Sequence, residues 1–225
     1  MHPYLAPIAG KFTERADAEK AKWMKAYMLD QFPFFGLQTP ERRKLCKEHY
    51  RQYPVKNLKE LETIVKECFT LEQRELQYFG VELFAFHKKL WQASSVKMIE
   101  YCLLQKSWWD SVDHIASEWL GPYFKLFPEQ IEPITSKWNH SKNIWLQRSS
   151  IMFQKAYKKE TDTALLSKYI LNCKDSKEFF IQKAIGWALR EYSKTDSKWV
   201  KAFVKENKLA PLSEREALKR INRSS

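Results

Sequence analysis

Glycine is scarce, five in 225 residues, and the few present never gather into a phosphate-cradling loop. Neither GxxxxGK nor GxGxxG occurs, which excludes P-loop and dinucleotide-binding motifs. GxSxG is missing, and with it the serine nucleophile elbow. The five histidines, His2, His49, His87, His114 and His140, are scattered and form no HExxH, so no metal cofactor is expected. The four cysteines, Cys46, Cys68, Cys102 and Cys173, form no CxxC. Their spacing suits neither a zinc site nor a small disulfide framework, and they are expected to be reduced packing residues of a cytoplasmic protein. No apolar run approaches the ~18 residues of a membrane span, and MHPYLAPIAGKF lacks the apolar core of a secretory signal. Convincing period-two strands are absent as well.

Cations and aromatic rings, by contrast, are plentiful. Lys and Arg total 39 against 27 Asp and Glu, a net charge of +12, and the excess is spread along the chain. A spread excess favours a basic face over a basic tail, and phosphate backbones are the commonest partner of such a face. A merely soluble basic protein accounts for the charge almost as well. Aromatics reach 15%, with nine tryptophans, more than an ordinary small core requires.

Apolar residues recur with helical periodicity almost throughout. Helices are expected near 15–31, 40–52, 57–68, 71–90, 95–105, 108–120, 128–137, 142–158, 162–171, 176–193, 196–205 and 214–221. Thr39 precedes Pro40 as an N-cap precedes a first-turn proline, and Ser107/Asp110 and Ser213/Glu216 have capping-box spacing. Short connections between many modest helices predict an all-α fold over a single domain, 1–225. The favoured form is an α-solenoid of HEAT-like antiparallel helix pairs with a basic concave face, and a globular multi-helix domain competes with it.

Three helices place polar groups where core residues belong. In SWWDSVDHIASEWL, Val112, Ile115 and Trp119 form the apolar stripe. Trp109 and Asp113, four apart, lie on an adjacent strip of the helix. Asp110 can act at the helix start, whereas Asp113 is too deep for that and either pairs with a cation or serves chemistry. In SKNIWLQRSSIMFQKAYKK, Arg148 interrupts the stripe of Ile144, Ile151 and Met152, with Lys155 on the same face. Its guanidinium needs a carboxylate or a phosphate, because an unpaired buried charge is costly. In SKEFFIQKAIGWALREYSK, Phe180, Lys183, Trp187, Arg190 and Lys194 share one face. Aromatics alternating with cations suit bases, sugars and phosphates, while long stems covering a core edge are the bland alternative.

Together these residues suggest Trp109 and Trp187 as aromatic walls, Asp113 as a carboxylate and Arg148 as a phosphate grip. A carboxylate on a basic surface repels a nucleic-acid backbone, so a pure binding module gains nothing from it. An enzyme breaking a glycosidic bond does gain, because the sugar carbon becomes oxocarbenium-like in the transition state. Purines alkylated at N3 or N7 are cationic and leave as neutral bases, so no strong general acid is needed. A non-enzymatic α-solenoid scaffold binding nucleic acid, RNA included, or protein is the competing class.

These clusters resemble the AlkD-type alkylpurine DNA glycosylases, the HEAT-like repeat family that also includes AlkC. The resemblance runs through KWMKAYMLDQFPFFGLQTPERRKL, SWWDSVDHIA, IWLQRSSIMFQ, FFIQKAIGWALREYSK and SEREALKRI, in the family's order. It implies a monomer that binds double-stranded DNA containing alkylated purines and leaves an abasic site, without metal or organic cofactor. The family's catalytic aspartate falls on Asp113, its aromatic walls on Trp109 and Trp187, and its site arginine on Arg148. Tyr27 matches an N-terminal aromatic bordering the cleft, and Phe179, Phe180 and Arg190 match DNA-proximal positions. Lys183 and Lys194 join the DNA-binding set through the shared helix face.

Overall fold

Helix is the only regular structure among the described residues, 1–223, of the computed structural model. The chain divides into two units, Met1–Lys106 and Ser107–Ser225. The first holds α1 (Ala6–Glu14), α2 (Ala18–Tyr27), α3 (Thr39–Gln52), α4 (Leu58–Thr70), α5 (Arg74–Phe86) and α6 (Val96–Leu104).

The helix expected at 15–31 is the shorter α2, and α1, which the sequence reading did not anticipate, precedes it. Pro7 fits the first turn of α1, where its missing N–H costs nothing, and Ile8, Ala9 and Phe12 are buried. Asp17 restarts the chain by accepting the Lys20 N–H at 3.0 Å as the cap of α2. Left-handed backbone at Leu29 and Asp30, φ 54° and 59°, follows the end of α2. Gly36, at φ 95°, packs so tightly on α2 that a Cβ would lie 2.1 Å from the Asp17 carbonyl oxygen. In α3, Gln38 is the cap and Thr39 the first helical residue, one position earlier than the sequence suggests.

Buried Leu61, Ile64, Val65, Cys68 and Phe69 give α4 one apolar face at i, i+3, i+4, i+7 and i+8, packed on α5. The buried polar groups of α5 are satisfied. Glu75 accepts N–H bonds from Phe35, Gly36 and Leu37 at 3.0, 2.9 and 3.2 Å. Arg74 donates to Gln77 and to the Lys106 carbonyl, both at 2.9 Å, over the Phe32 ring.

The second unit holds α7 (Trp109–Ile115), α8 (Gly121–Leu126), α9 (Ile131–Asn139), α10 (Ile144–Met152), α11 (Thr163–Cys173), α12 (Phe179–Tyr192), α13 (Ser197–Asn207) and α14 (Pro211–Leu218). Trp108, not Ser107, is the N-cap residue of α7. The helix expected to stop at 120 continues into α8 through a π-helical turn, Ala116–Leu120. Pro122 explains the turn. It lacks an N–H, its ring would crowd the carbonyl four residues back, and a widened turn relieves both.

Asn143, Asp162 and Asp196 cap α10, α11 and α13 through side-chain oxygens. Helix α10 ends at Met152 rather than 158, giving way to a turn and then to Lys158 at φ 54°. Helix α14 starts earlier than SERE suggests, with Ala210 as cap and Pro211 in the first turn. Ser213 is therefore inside the helix and donates to the Gln182 carbonyl of α12 at 2.9 Å. Helix α12 packs extensively on α14 and also on α10, which in turn packs on α7, α9 and α11. All four cysteines are free and buried. This all-α, helix-on-helix construction is consistent with the α-solenoid expected from the sequence.

Candidate active site

Three helices of the second unit build the site. Helix α7 carries Asp113 one turn after Trp109, α10 carries Arg148, and α12 carries Trp187 between Lys183 and Arg190. Arg148 Nε donates to Asp113 Oδ1 at 2.6 Å and Nη2 to Oδ2 at 2.7 Å, a bidentate fork. Its Nη1 donates to the Phe180 carbonyl oxygen at the start of α12. The Arg148 side chain is 1% exposed and that of Asp113 14%. The guanidinium is thus committed to Asp113 and Phe180, and the expected phosphate grip becomes an internal brace. Asp113 keeps an outward edge, and each of its oxygens retains acceptor capacity beyond the fork.

The Arg148 guanidinium lies 5.4 Å from the centre of the Trp187 ring. Lys183 Nζ at 5.3 Å, the Arg190 guanidinium at 5.6 Å and Lys155 Nζ at 5.8 Å approach the same ring. Four cations therefore surround one indole. Trp187 is half-buried, and its indole N–H is enclosed with no acceptor. Phe180 is fixed by an aromatic cluster with Trp145 at 5.0 Å and Trp108 at 5.2 Å between ring centres. Those rings hold in place the backbone carbonyl to which Arg148 is tied.

Lys183 and Arg190 are not bare cations. Lys183 Nζ donates to Glu216 Oε1 at 2.9 Å and Arg190 Nη1 to Oε2 at 2.7 Å. Burial would raise the Glu216 pKa. The Lys183 hydrogen bond and the charges of Lys183, Arg190 and Lys219 outweigh it and hold the carboxyl below its ordinary range.

The structure thus brings together Asp113, Arg148, Phe180, Lys183, Trp187 and Arg190. Trp109 is half-buried at the start of α7. Phe179 is 56% exposed, with Lys183 Nζ 5.9 Å from its ring. Lys194, at the end of the same face, pairs with Glu191 at 2.6 Å. It lines a cavity of about 280 Å³ with Lys155 and Lys158 rather than the Trp187 cluster. Tyr27 belongs to the first unit, 69% exposed on α2.

Sequence reading missed Trp108, Trp145, Lys155 and Glu216 as site residues. Lys155 was visible on the Arg148 face. Glu216 falls at the capping-box spacing of SERE, a role that the earlier start of α14 overturns.

A carboxylate braced by a buried guanidinium and an indole ringed with cations come together on three helices of an all-helical protein. The family model of DNA alkylation repair enzymes matches residues 8–221. The chain belongs to that family, whose task is the repair of alkylation damage in DNA. It is similar in structure, with a TM-score of 0.85 and 34% identity, to a protein described as a predicted DNA alkylation repair enzyme from Enterococcus faecalis. The match covers 91% of this chain and 95% of that one. No curated protein matches the chain.

Proposed function

We propose that the protein is a DNA glycosylase that hydrolyses the N-glycosidic bond of cationic N3- and N7-alkylated purines in duplex DNA. The observation that carries this reading is Asp113, a partly exposed carboxylate fixed from behind by Arg148 in a basic setting. A nucleic-acid scaffold has no use for a carboxylate left partly open to solvent. An enzyme that generates positive charge at the sugar does.

In the proposed reaction the bond between C1′ and the base nitrogen breaks, and its electron pair leaves with the base. An alkylated purine starts cationic and departs neutral, so no proton need be delivered to it. The C1′ carbon becomes oxocarbenium-like, Asp113 stabilises that charge, and a water oxygen adds to C1′ as one of its O–H bonds breaks, the proton passing by way of the carboxylate to solvent. Arg148 keeps the carboxylate from turning toward bulk water, so its orientation precedes the charge it meets. Trp109 and Trp187 offer ring faces to the sugar or the cationic base, each contact contributing ~0.5–2 kcal/mol. Lys183 and Arg190 hold flanking phosphates, with Tyr27, Phe179, Phe180 and Lys194 contributing to the wider DNA contact.

The test is direct. Duplex DNA treated with a methylating agent is incubated with the protein, and released purine and abasic sites are measured. Release of 3-methyladenine or 7-methylguanine with matching abasic sites supports the reading. DNA binding without release would leave a non-enzymatic binding protein.

A further inference from the structure

The SERE segment, once its capping role is set aside, supplies a carboxylate with no part in the chemistry above. Glu216 is 8% exposed in its side chain, and each of its two oxygens holds a different cation of α12. Those cations, Lys183 and Arg190, are seven residues apart and bracket Trp187 by one helical turn on either side. Gly186 makes the arrangement possible. A Cβ there would lie 2.5 Å from Glu216 Cβ and 2.9 Å from the Ser213 carbonyl oxygen, so only glycine lets α14 come this close.

We propose that Glu216 is a positioning residue that presets Lys183 and Arg190 as a two-pronged phosphate clamp around Trp187. The inference rests on the glycosylase reading for its catalytic consequence and on DNA binding alone for the clamp. One carboxylate shared by two cations leaves a net charge of +1. Each cation uses a single hydrogen bond on Glu216, so most of the three N–H donors of the lysine and the five of the arginine remain for phosphate oxygens.

The first unit offers a comparison. There Glu82 pairs with both Arg42 and Arg43, and Arg42 lies 4.9 Å from the Tyr78 ring. The Arg42 side chain is only 5% exposed. Lys183 and Arg190 keep 21% and 30% of their side chains in solvent. The Glu82 arrangement seals one cation inside the fold, whereas the Glu216 arrangement presents both outward. Long basic side chains otherwise lose much rotamer freedom on gripping a phosphate, and a carboxylate that fixes them beforehand removes part of that loss.

The experiment compares wild type with Glu216→Gln, Glu216→Asp, Arg190→Gln and the Glu216→Gln/Arg190→Gln double variant. Folding is followed by thermal unfolding. Binding is measured on undamaged duplex and on the same duplex carrying a tetrahydrofuran abasic-site analogue. Excision is measured in single turnover at saturating protein.

Glu216→Gln should bind undamaged duplex at least as tightly as wild type, since a negative charge is gone. Its preference for the abasic analogue should nevertheless fall about fivefold, and excision about tenfold. Glu216→Asp should recover part of both losses. The double variant should be no worse than the poorer single variant, because both substitutions break one device. A uniform change on the two duplexes, with excision intact, would overturn the proposal.

If Glu216→Gln fails to fold, Lys183→Gln and Arg190→Gln, which leave α14 unaltered, take its place, and wild-type behaviour in both would overturn it equally. If wild type excises nothing, the glycosylase reading falls. The clamp then stands or falls on the preference for the abasic analogue.

Discussion

Asp113 and Arg148 form a pair whose two members have different exposures, and that asymmetry governs what each substitution should do. Arg148 is sealed and Asp113 is not. Asp113→Asn leaves the fork with one good acceptor and an amide N–H₂ pressed against the guanidinium, while the Phe180 carbonyl is retained. Breaking a buried pair on one side costs up to ~3–5 kcal/mol, and the retained acceptor and partial exposure reduce that to about 1–3 kcal/mol. Excision should fall by ~10²–10³-fold, because a neutral amide offers the sugar no charge. Chemical denaturation alongside single-turnover excision separates the two losses. Asp110→Asn, in the first turn of α7, is the control. It should cost ~0.3–1 kcal/mol through the helix dipole and leave excision near wild type. If the Asp110 variant were inactive and the Asp113 variant turned over, the roles assigned to these two carboxylates would have to be exchanged. Arg148→Lys should also lose excision, since an ammonium cannot make the fork that holds both oxygens.

At the scale of the element, the contact between α12 and α14 depends on a missing side chain. Gly186→Ala places a methyl group 2.5 Å from Glu216 Cβ and 2.9 Å from backbone, so α14 must move. The substitution should destabilise by ~1–3 kcal/mol, outweighing the helix-propensity gain of about 1 kcal/mol. The drop in urea midpoint is the measurement, and a stabilised variant would show that α14 yields freely. This contact also marks the limit of what periodicity reveals. The stripe of α4 and the polar intrusions at Asp113, Arg148 and Trp187 were all legible, because apolar spacing reports which face is buried. SERE was misread because capping-box spacing also occurs inside helices, and Pro211, three residues upstream of Glu214, was the better start signal. The short α2, which buries none of its residues, was run past its end because left-handed backbone at Leu29 and Asp30 is rare outside glycine and leaves little trace in sequence. The π turn after Asp113 hid behind a proline that reads as a helix stop. Periodicity shows that Arg148 and Asp113 each want a partner, but which residue 26 to 35 positions away supplies it, as Glu216 does for Arg190 and Asp113 for Arg148, is not written in local spacing.

Taken whole, the molecule carries +12, and binding to undamaged duplex should therefore weaken steeply with added salt. In each unit a group whose folded pKa is held down makes the fold less stable in acid, and the two act in different pH windows. His49 of α3 is buried, with Tyr4, Tyr53 and Phe79 around its ring. Burial is the largest influence on it and pushes its pKa from 6.5 down to about 4, only partly opposed by the Tyr4 backbone. An unfolded chain takes up a proton at His49 near pH 6.5, whereas the folded chain resists until about pH 4. The unfolded state thus binds more protons in that window, and stability falls as pH drops through it, by on the order of 2–3 kcal/mol at most. Glu216 acts lower on the scale. Its folded pKa is held below 4.5, so the stability of its two ion pairs is complete above that pH and is lost as pH falls through the folded value. His49→Phe keeps an aromatic ring of similar shape and has no proton to gain. Urea midpoints measured from pH 7 to pH 3 should show a sloping limb between about 6.5 and 4 in wild type. That limb should flatten in the His49 variant, while the loss below 4.5 remains and is weakened in part by Glu216→Gln. An unchanged limb in the His49 variant would mean that some other group takes up the proton in this window.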